Sequence, residues 1–249
     1  MTTEIEIDGE QFLINSELTY KGRSHQGRRI EGLLFNSRMV QATFDDDNPT
    51  TVDRWRYPDT GEWDPDRNTD EFCAMLPEYR RYGLLGVTVG LQGGGAIYIP
   101  EVYDHYINSA FDPDGALKPA YCDRLLRILK AADAAGLVVI VNYFYWKQVA
   151  KMHGQPAIVR ATQEATEWLL QTGCRNILVD VYNEFSDGDK ITQAARIHEL
   201  IETAQGITLG GRRLLVSASS LPPAPLRPGP WEEIVDFYLP HGNDSWARR

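Results

Sequence analysis

Residues 173–185 read GCRNILVDVYNEF. Gly173 closes a long helical pattern. Ile177, Leu178, Val179 and Val181 follow as an apolar run rich in β-branched residues, the composition of a strand buried on both faces of a parallel sheet. The run then stops on Asn183 and Glu184 and, after Phe185, on the polar turn Ser186-Asp187-Gly188-Asp189. A carboxylate at the end of a buried strand is costly unless it has partners or chemistry to perform. In barrels of alternating strands and helices, the carboxyl ends of the strands carry the active site. Glu184 is therefore the candidate catalytic acid, with Asn183 beside it.

Outward from this stretch, the same unit recurs. Gly83, Gly136, Gly173 and Gly206 each end a helical pattern just before an apolar run. Strands are expected over residues 30–35, 84–91, 137–141, 177–182, 213–218 and 235–239. Helices are expected over 69–82, 118–135, 156–172 and 190–205, with a short one at 231–234. Thr69 or Asp70 should cap the first helix and Pro77 should kink or break it. Leu125, Leu126, Leu129 and Ala132 give the second its apolar stripe. This alternation specifies an α/β fold of the (β/α)8 TIM-barrel type, with about six βα units present. Residues 4–22 alternate in short bursts around Asp8-Gly9 and predict an N-terminal β-hairpin, packed as a lid on one end of the barrel. Residues 1–249 are read as a single, incomplete barrel domain.

Bulk properties narrow the function. The chain has 249 residues, 43% of them hydrophobic, and a formal net charge of -10 without a basic run, which argues against nucleic acid as a partner. No stretch suits a membrane span, and the acidic N-terminus MTTEIEIDGE lacks a secretory core, so a cytoplasmic location is expected. Cys73, Cys122 and Cys174 are odd in number and far apart, as free thiols in a reducing compartment would be. Gly93-Gly94-Gly95 fits neither phosphate-loop pattern. Asp112-Pro113-Asp114-Gly115 reads as a turn, not a calcium loop. Neither metal-ligand spacing nor a G-x-S-x-G elbow occurs. No cofactor and no metal are expected.

The strand ends carry the chemistry. They bring together Asn36, Arg38, Gln92, Asn142, Tyr143, Tyr145, Trp146, Lys147, Asn183, Glu184, Ser219, His241, Asn243 and Asp244. Hydrogen-bonding groups mixed with flat aromatics suit sugars, whose hydroxyls want polar partners and whose C–H faces stack on rings. The predicted substrate-binding set is Asn36, Arg38, Gln92, Asn142, Tyr143, Trp146, Asn183 and His241. Competing readings exist for each group. Glu184 could be an ion-paired structural carboxylate, with Arg38 or Lys147. His241 could be a satisfied histidine. Trp55 and Trp63, in the long irregular segment 41–68, could be sugar platforms or could only pack their loop. Asp180 is read as a buried structural acid paired with an arginine. Asp45-Asp46-Asp47 and Glu232-Glu233 are read as solvated surface.

With Asn183-Glu184 ending the fourth core strand, the chain resembles the clan of retaining β-glycosidases built on the (β/α)8 barrel, cellulase-like enzymes of family 5 type in particular. The N-terminal hairpin, Arg38 after the first strand and His241 after the sixth are similar more loosely. The resemblance implies a hydrolase of β-linked sugars working by double displacement, with Glu184 as general acid/base and Asn183 on the sugar's 2-hydroxyl. It also implies a nucleophilic Glu at the end of a seventh strand, where this sequence has none. The expectation is a barrel truncated before the seventh strand, with negligible activity in these residues alone and open edges that favour association. Two alternatives are a carbohydrate-binding pseudoenzyme on the same barrel and an aldolase-type enzyme using Lys147 as a Schiff-base lysine. The sugar, the linkage and the oligomeric state stay open.

Overall fold

A computed structural model describes residues 2–95, 99–185, 196–220 and 233–241. Strands β1 (Ile5–Asp8), β2 (Gln11–Ile14) and β3 (Glu17–Leu18) form an antiparallel N-terminal sheet; β4 (Ser24–His25) and β5 (Arg28–Arg29) form a small ribbon. Five strands then make the central sheet: β6 (Asn36–Arg38), β7 (Gly86–Gly90), β8 (Val138–Phe144), β9 (Ile177–Tyr182) and β10 (Leu215–Ser217). Every neighbouring pair is parallel and the spatial order follows the sequence. Beyond β10, β11 (Ser219–Ser220) pairs in parallel with β12 (Leu239–Pro240), which brings a sixth strand alongside. Helices α1 (Pro65–Arg81), α3 (Pro119–Ala135), α5 (Gln155–Gln171) and α6 (Ile197–Gln205) lie between consecutive strands, with short turns α2 (Pro100–Tyr103) and α4 (Trp146–Val149) near the rim. This is a mixed α/β fold, a partial TIM barrel.

Strand alternation divides the apolar residues into two cores. One face of the sheet, with Val87, Val89, Val139, Val141, Val179 and Val181, packs on the helices. The other face, with Val138, Ile140 and Leu178, joins Phe237 and Leu239 and is covered by Ile5, Ile7, Phe12 and Ile14 of the hairpin. The Ile5 N–H donates to the Arg175 carbonyl just before β9, so the hairpin closes the amino end of the strands, opposite Glu184.

Three expected boundaries move. The first core strand is not residues 30–35. Gly32 turns there with φ 80, in space where a Cβ would strike Gln11, and Leu33 and Phe35 are exposed; the strand is the polar Asn36–Arg38 that follows. The first helix begins earlier than Thr69. Asp64 caps it by accepting from the N–H groups of Asp66 (3.0 Å) and Arg67 (2.9 Å), and Pro65 supplies the preset φ of the first helical position. Thr69 instead donates to the Ala42 carbonyl at 2.8 Å. The helix also continues past Pro77 to Arg81, held along α3 with Leu76 fully buried. Residues 235–238 lie outside a strand; there Asp236 clips onto β10, accepting from Val216 N–H (2.8 Å) and bonding the Arg213 guanidinium. The expected helix 190–205 is described only from Arg196 on, and the expected helix 231–234, the 221–230 turn, Glu232, Asn243 and Asp244 lie wholly or largely outside the described residues.

Candidate active site

A cleft of about 840 Å³ opens at the carboxyl ends of the strands. It is lined by Arg38, Gln92, Asn142, Trp146, Asn183 and Glu184 among the expected residues, and by Phe44, Trp55, Trp63, Asn68, Tyr103 and Tyr145 besides. Glu184 sits two residues past β9. Its backbone is left-handed, with φ 54, a conformation that costs a non-glycine residue roughly 1–3 kcal/mol. Ser219 holds the turn: its hydroxyl accepts the Glu184 N–H at 3.0 Å and donates to the Tyr182 carbonyl at 3.2 Å. The Glu184 carboxylate then takes two partners on one oxygen. Arg38 Nη1 lies 2.7 Å from Oε1, and His241 Nδ1 lies 2.7 Å from the same atom. An ionised carboxylate can only accept, so the shorter contact to Glu184 assigns the His241 proton to Nδ1, with Arg38 Nη1 3.1 Å from the same nitrogen.

Asp180 lies one pleat repeat below the rim and is fully buried. It accepts from Ser219 N–H (2.8 Å), Asn142 Nδ2 (3.1 Å) and Tyr182 N–H (3.3 Å). Burial pushes its carboxyl up to about 7, against the lowering influence of His241, Ser219 and Asn142. Among the described residues its hydrogen-bond partners are these amides and not an arginine, which corrects the expected pairing. Asp180, Ser219 and Glu184 thus form one hydrogen-bonded column from the barrel interior to the cleft.

Other expected residues separate. Gln92 reaches the cleft, but its amide is spent donating to Ser109 Oγ (3.0 Å) and accepting from Tyr145 N–H (3.1 Å). Asn36 stays inside the barrel below Arg38, where its side-chain oxygen accepts from Thr88 at 2.8 Å, and it does not line the cleft. Tyr143 has the wrong parity: it points to the helix layer, fully buried, with its hydroxyl 3.1 Å from Thr166 Oγ1. His241 is buried behind Glu184 rather than on the cleft surface. Lys147 bonds Asp104 and lies 3.6 Å over the Tyr103 ring, outside the cleft lining; burial lowers its pKa. Trp146 is half-exposed on the rim.

Asp45 and Asp46 overturn the surface reading. Asp46 is buried and accepts four bonds, from Trp55 Nε1 (2.7 Å), Thr51 Oγ1 (2.6 Å), Ile107 N–H (2.9 Å) and Asn48 N–H (3.0 Å). Asp45 accepts from Trp63 Nε1 at 3.2 Å and faces the buried Arg124 at 3.4 Å. Phe44 stands edge-on between the two indoles, at 4.9 and 5.8 Å. Three acids in a row read as solvated; the signal that could have corrected this was two tryptophans within the same long segment, each with an N–H to satisfy. No group of side chains among the described residues could hold a metal ion, and no described helix is long and apolar enough to cross a membrane. The three cysteines are free, with burial pushing the Cys73 and Cys122 thiols up to about 11.

No protein-family model matches the chain, and no curated protein does. Solved structures do. A glycoside hydrolase family 5 protein from Bacteroides vulgatus is 13% identical with a TM-score of 0.50, over 89% of this chain and 40% of that one. A second B. vulgatus protein, described provisionally as a glycoside hydrolase, is 14% identical with a TM-score of 0.56, over 89% and 39%. A third, named only as a glycoside hydrolase, is 12% identical with a TM-score of 0.50, over 88% and 41%. At these identities the likeness is one of fold. The chain spans about two-fifths of the length of these three structures.

Proposed function

We propose that this chain carries the acid/base half of a retaining glycosidase acting on β-linked sugars. One observation carries the reading: a glutamate preceded by asparagine ends the fourth strand of a parallel partial barrel, inside a cleft of aromatics and amides. The names of the similar solved structures, glycoside hydrolases, agree with it. In the proposed reaction Glu184 protonates the departing glycosidic oxygen and later takes a proton from water. Arg38 and His241 orient its carboxylate, and Asn183 contacts the sugar. The nucleophile is a second carboxylate, required at about 5–5.5 Å from the first. Glu184 is the one carboxylate lining the cleft among the described residues; because the chain spans about two-fifths of the similar solved structures, we propose that a later strand of the barrel supplies the nucleophile.

That same observation favours binding without turnover for residues 1–249 alone. The Schiff-base reading has no such support, because Lys147 is turned towards Asp104 and Tyr103.

The test uses a chain extended by its downstream coding sequence. Glu184→Gln should slow cleavage of a β-linked disaccharide by about 10²–10⁴-fold. It should slow a dinitrophenyl β-glycoside far less, since that leaving group needs little protonation, and added azide should restore turnover as glycosyl azide. Equal losses on both substrates, with no azide rescue, would remove Glu184 from the acid/base role.

A further inference from the structure

We propose that Asp45 and Asp46 are positioning residues for an extended-sugar subsite. They fix the indoles of Trp63 and Trp55 on one wall of the cleft, and this wall takes sugar units of a β-linked oligosaccharide lying away from the bond at Glu184. The inference rests on the proposed glycosidase reading and adds a substrate class: oligosaccharides long enough to reach the wall, in preference to disaccharides.

The argument starts from how the wall is held. Residues 40–63 form no strand and only two short 3₁₀ turns, over Val40–Thr43 and Val52–Trp55. A segment of that kind ordinarily owes its shape to packing and water. Here each indole N–H ends on a carboxylate, Trp55 on Asp46 and Trp63 on Asp45. Asp46 Oδ1 accepts two backbone N–H groups, Ile107 and Asn48, while Oδ2 accepts Thr51 and Trp55. One buried carboxylate therefore ties the loop both to its own turn and to the loop after β7. Asn108, fully buried, completes the tie: its side-chain oxygen accepts from Asp45 N–H (3.1 Å) and Tyr121 Oη (2.7 Å), and its amide donates to the Gly93 carbonyl. The loop carrying the tryptophans and the glycine loop across from it are thus one framework.

The chemistry of the wall fits carbohydrate. Trp55, Trp63 and Phe44 all line the cleft, Tyr57 stacks parallel on Trp63 at 5.9 Å, and the Arg67 guanidinium lies 3.8 Å from the centre of the Tyr57 ring. Packing alone would leave both indole N–H groups unpaired, whereas here the buried Asp46 and the partly buried Asp45 receive them. Rings held in advance bind a flexible chain without the entropy loss of ordering them at that moment. Glu184 and its partners occupy the strand ends β6, β9 and β12, whereas the indoles come from the segment between β6 and α1, so the wall contributes to binding and not to bond breaking.

Titration calorimetry on the 249-residue chain would use cello-, manno- and xylo-oligosaccharides, each as disaccharide and tetrasaccharide. Wild type should bind the tetrasaccharide of one series about tenfold or more tighter than its disaccharide. Trp55→Phe, which keeps an apolar ring and loses the bond to Asp46, and Asp46→Asn, which cannot accept all four donors, should each remove most of that gain. Both should leave disaccharide affinity within about twofold. Tetrasaccharide should also shift tryptophan emission in wild type and not in Asp46→Asn. Trp63→Phe and Asp45→Asn form an independent pair should Asp46→Asn fail to fold, as judged by thermal unfolding. Folded variants that keep the chain-length gain overturn the proposal, and so do variants that lose disaccharide and tetrasaccharide binding equally. Wild type that binds disaccharide and tetrasaccharide alike overturns the proposal and leaves the glycosidase reading standing. Wild type that binds no saccharide at all removes the glycosidase reading first, and this proposal with it.

Discussion

Glu184 combines two demands that conflict in the backbone. Its side chain must stand at the rim, and its φ of 54 suits glycine. Replacing it by alanine or by glycine removes the same carboxylate, so the difference between the two variants reads the backbone alone. Glu184→Gly should be more stable than Glu184→Ala by about 1 kcal/mol in denaturant unfolding; equal stabilities would mean that the turn relaxes without strain. Asp180 makes a pH prediction. Its folded-state value of about 7 lies above the ordinary 3.8, so the folded protein holds this proton more tightly than the unfolded chain. The stability present in acid is then lost as pH rises from about 4 to about 7 and stays lost above, by on the order of 4 kcal/mol. Asp180→Asn should flatten that decline, checked by urea unfolding at about pH 5 and about pH 8; a variant whose profile runs parallel to wild type would assign the decline to other groups. How visible these side chains were in the sequence follows from what sets each one. Glu184 and Asn183 stood out because a polar pair interrupts an apolar strand. Tyr143 misled because strand parity turns an aromatic at a strand end towards the helices as readily as towards the cleft. Asp45 and Asp46 misled because their donors, two indoles of the same long segment and the N–H of Ile107, stand 9, 18 and 61 residues away along the chain.

Elements were legible where one force dominates. β8 and β9 are buried at every position, and their apolar runs announced them. α3 ends on Gly136 in the left-handed conformation, φ 72, a stop signal that needs no tertiary knowledge. β6 was missed because an edge strand of three polar residues has no apolar signature; only β7 defines it, through parallel pairing of Asn36 to Gly86 and Arg38 to Thr88. The start of α1 was missed because the periodic apolar residues begin a turn after the cap. Asp64→Ala should cost about 1 kcal/mol by releasing the N–H groups of Asp66 and Arg67, measured as a lower denaturation midpoint at unchanged slope. The hairpin offers a sharper test of the inner core. Phe12 meets Phe237 edge-on at 5.9 Å and helps cover Val138, Ile140 and Leu178. Phe12→Ala should destabilise by roughly 2–3 kcal/mol, below the value for a fully buried ring because Phe12 is only partly covered. It should leave saccharide affinity unchanged, since the hairpin closes the opposite end of the strands.

The described residues form a partial barrel with the cleft on one rim and the N-terminal hairpin at the other end of the strands. Its two cores form without closure, because the helices cover one face of the five-stranded sheet and the hairpin covers the other. Among the described residues at the edges, Leu33, Phe35 and Tyr238 are exposed, while Leu239 at the start of β12 is buried. Short edge strands, β6 and β12, offer little to a pairing partner. On the proposed reading fold and catalysis separate, with residues 1–249 expected to fold without turnover. Proton donation by one positioned acid supplies on the order of 10²–10⁴-fold, whereas enzymes typically accelerate by about 10⁶-fold or more. The difference must come from groups that hold the glycosyl centre itself, above all a nucleophile. Asp180 is no substitute, since it is fully buried beneath Asn142 and Ser219 and does not line the cleft. The 249-residue chain should thus bind β-linked saccharides and hydrolyse aryl β-glycosides negligibly, while the extended chain turns them over. The comparison runs both chains on one substrate panel, each beside its Glu184→Gln variant. Turnover by the short chain that disappears in Glu184→Gln would place a second carboxylate within reach of the sugar, and mass-spectrometric trapping with a fluorosugar would then identify it.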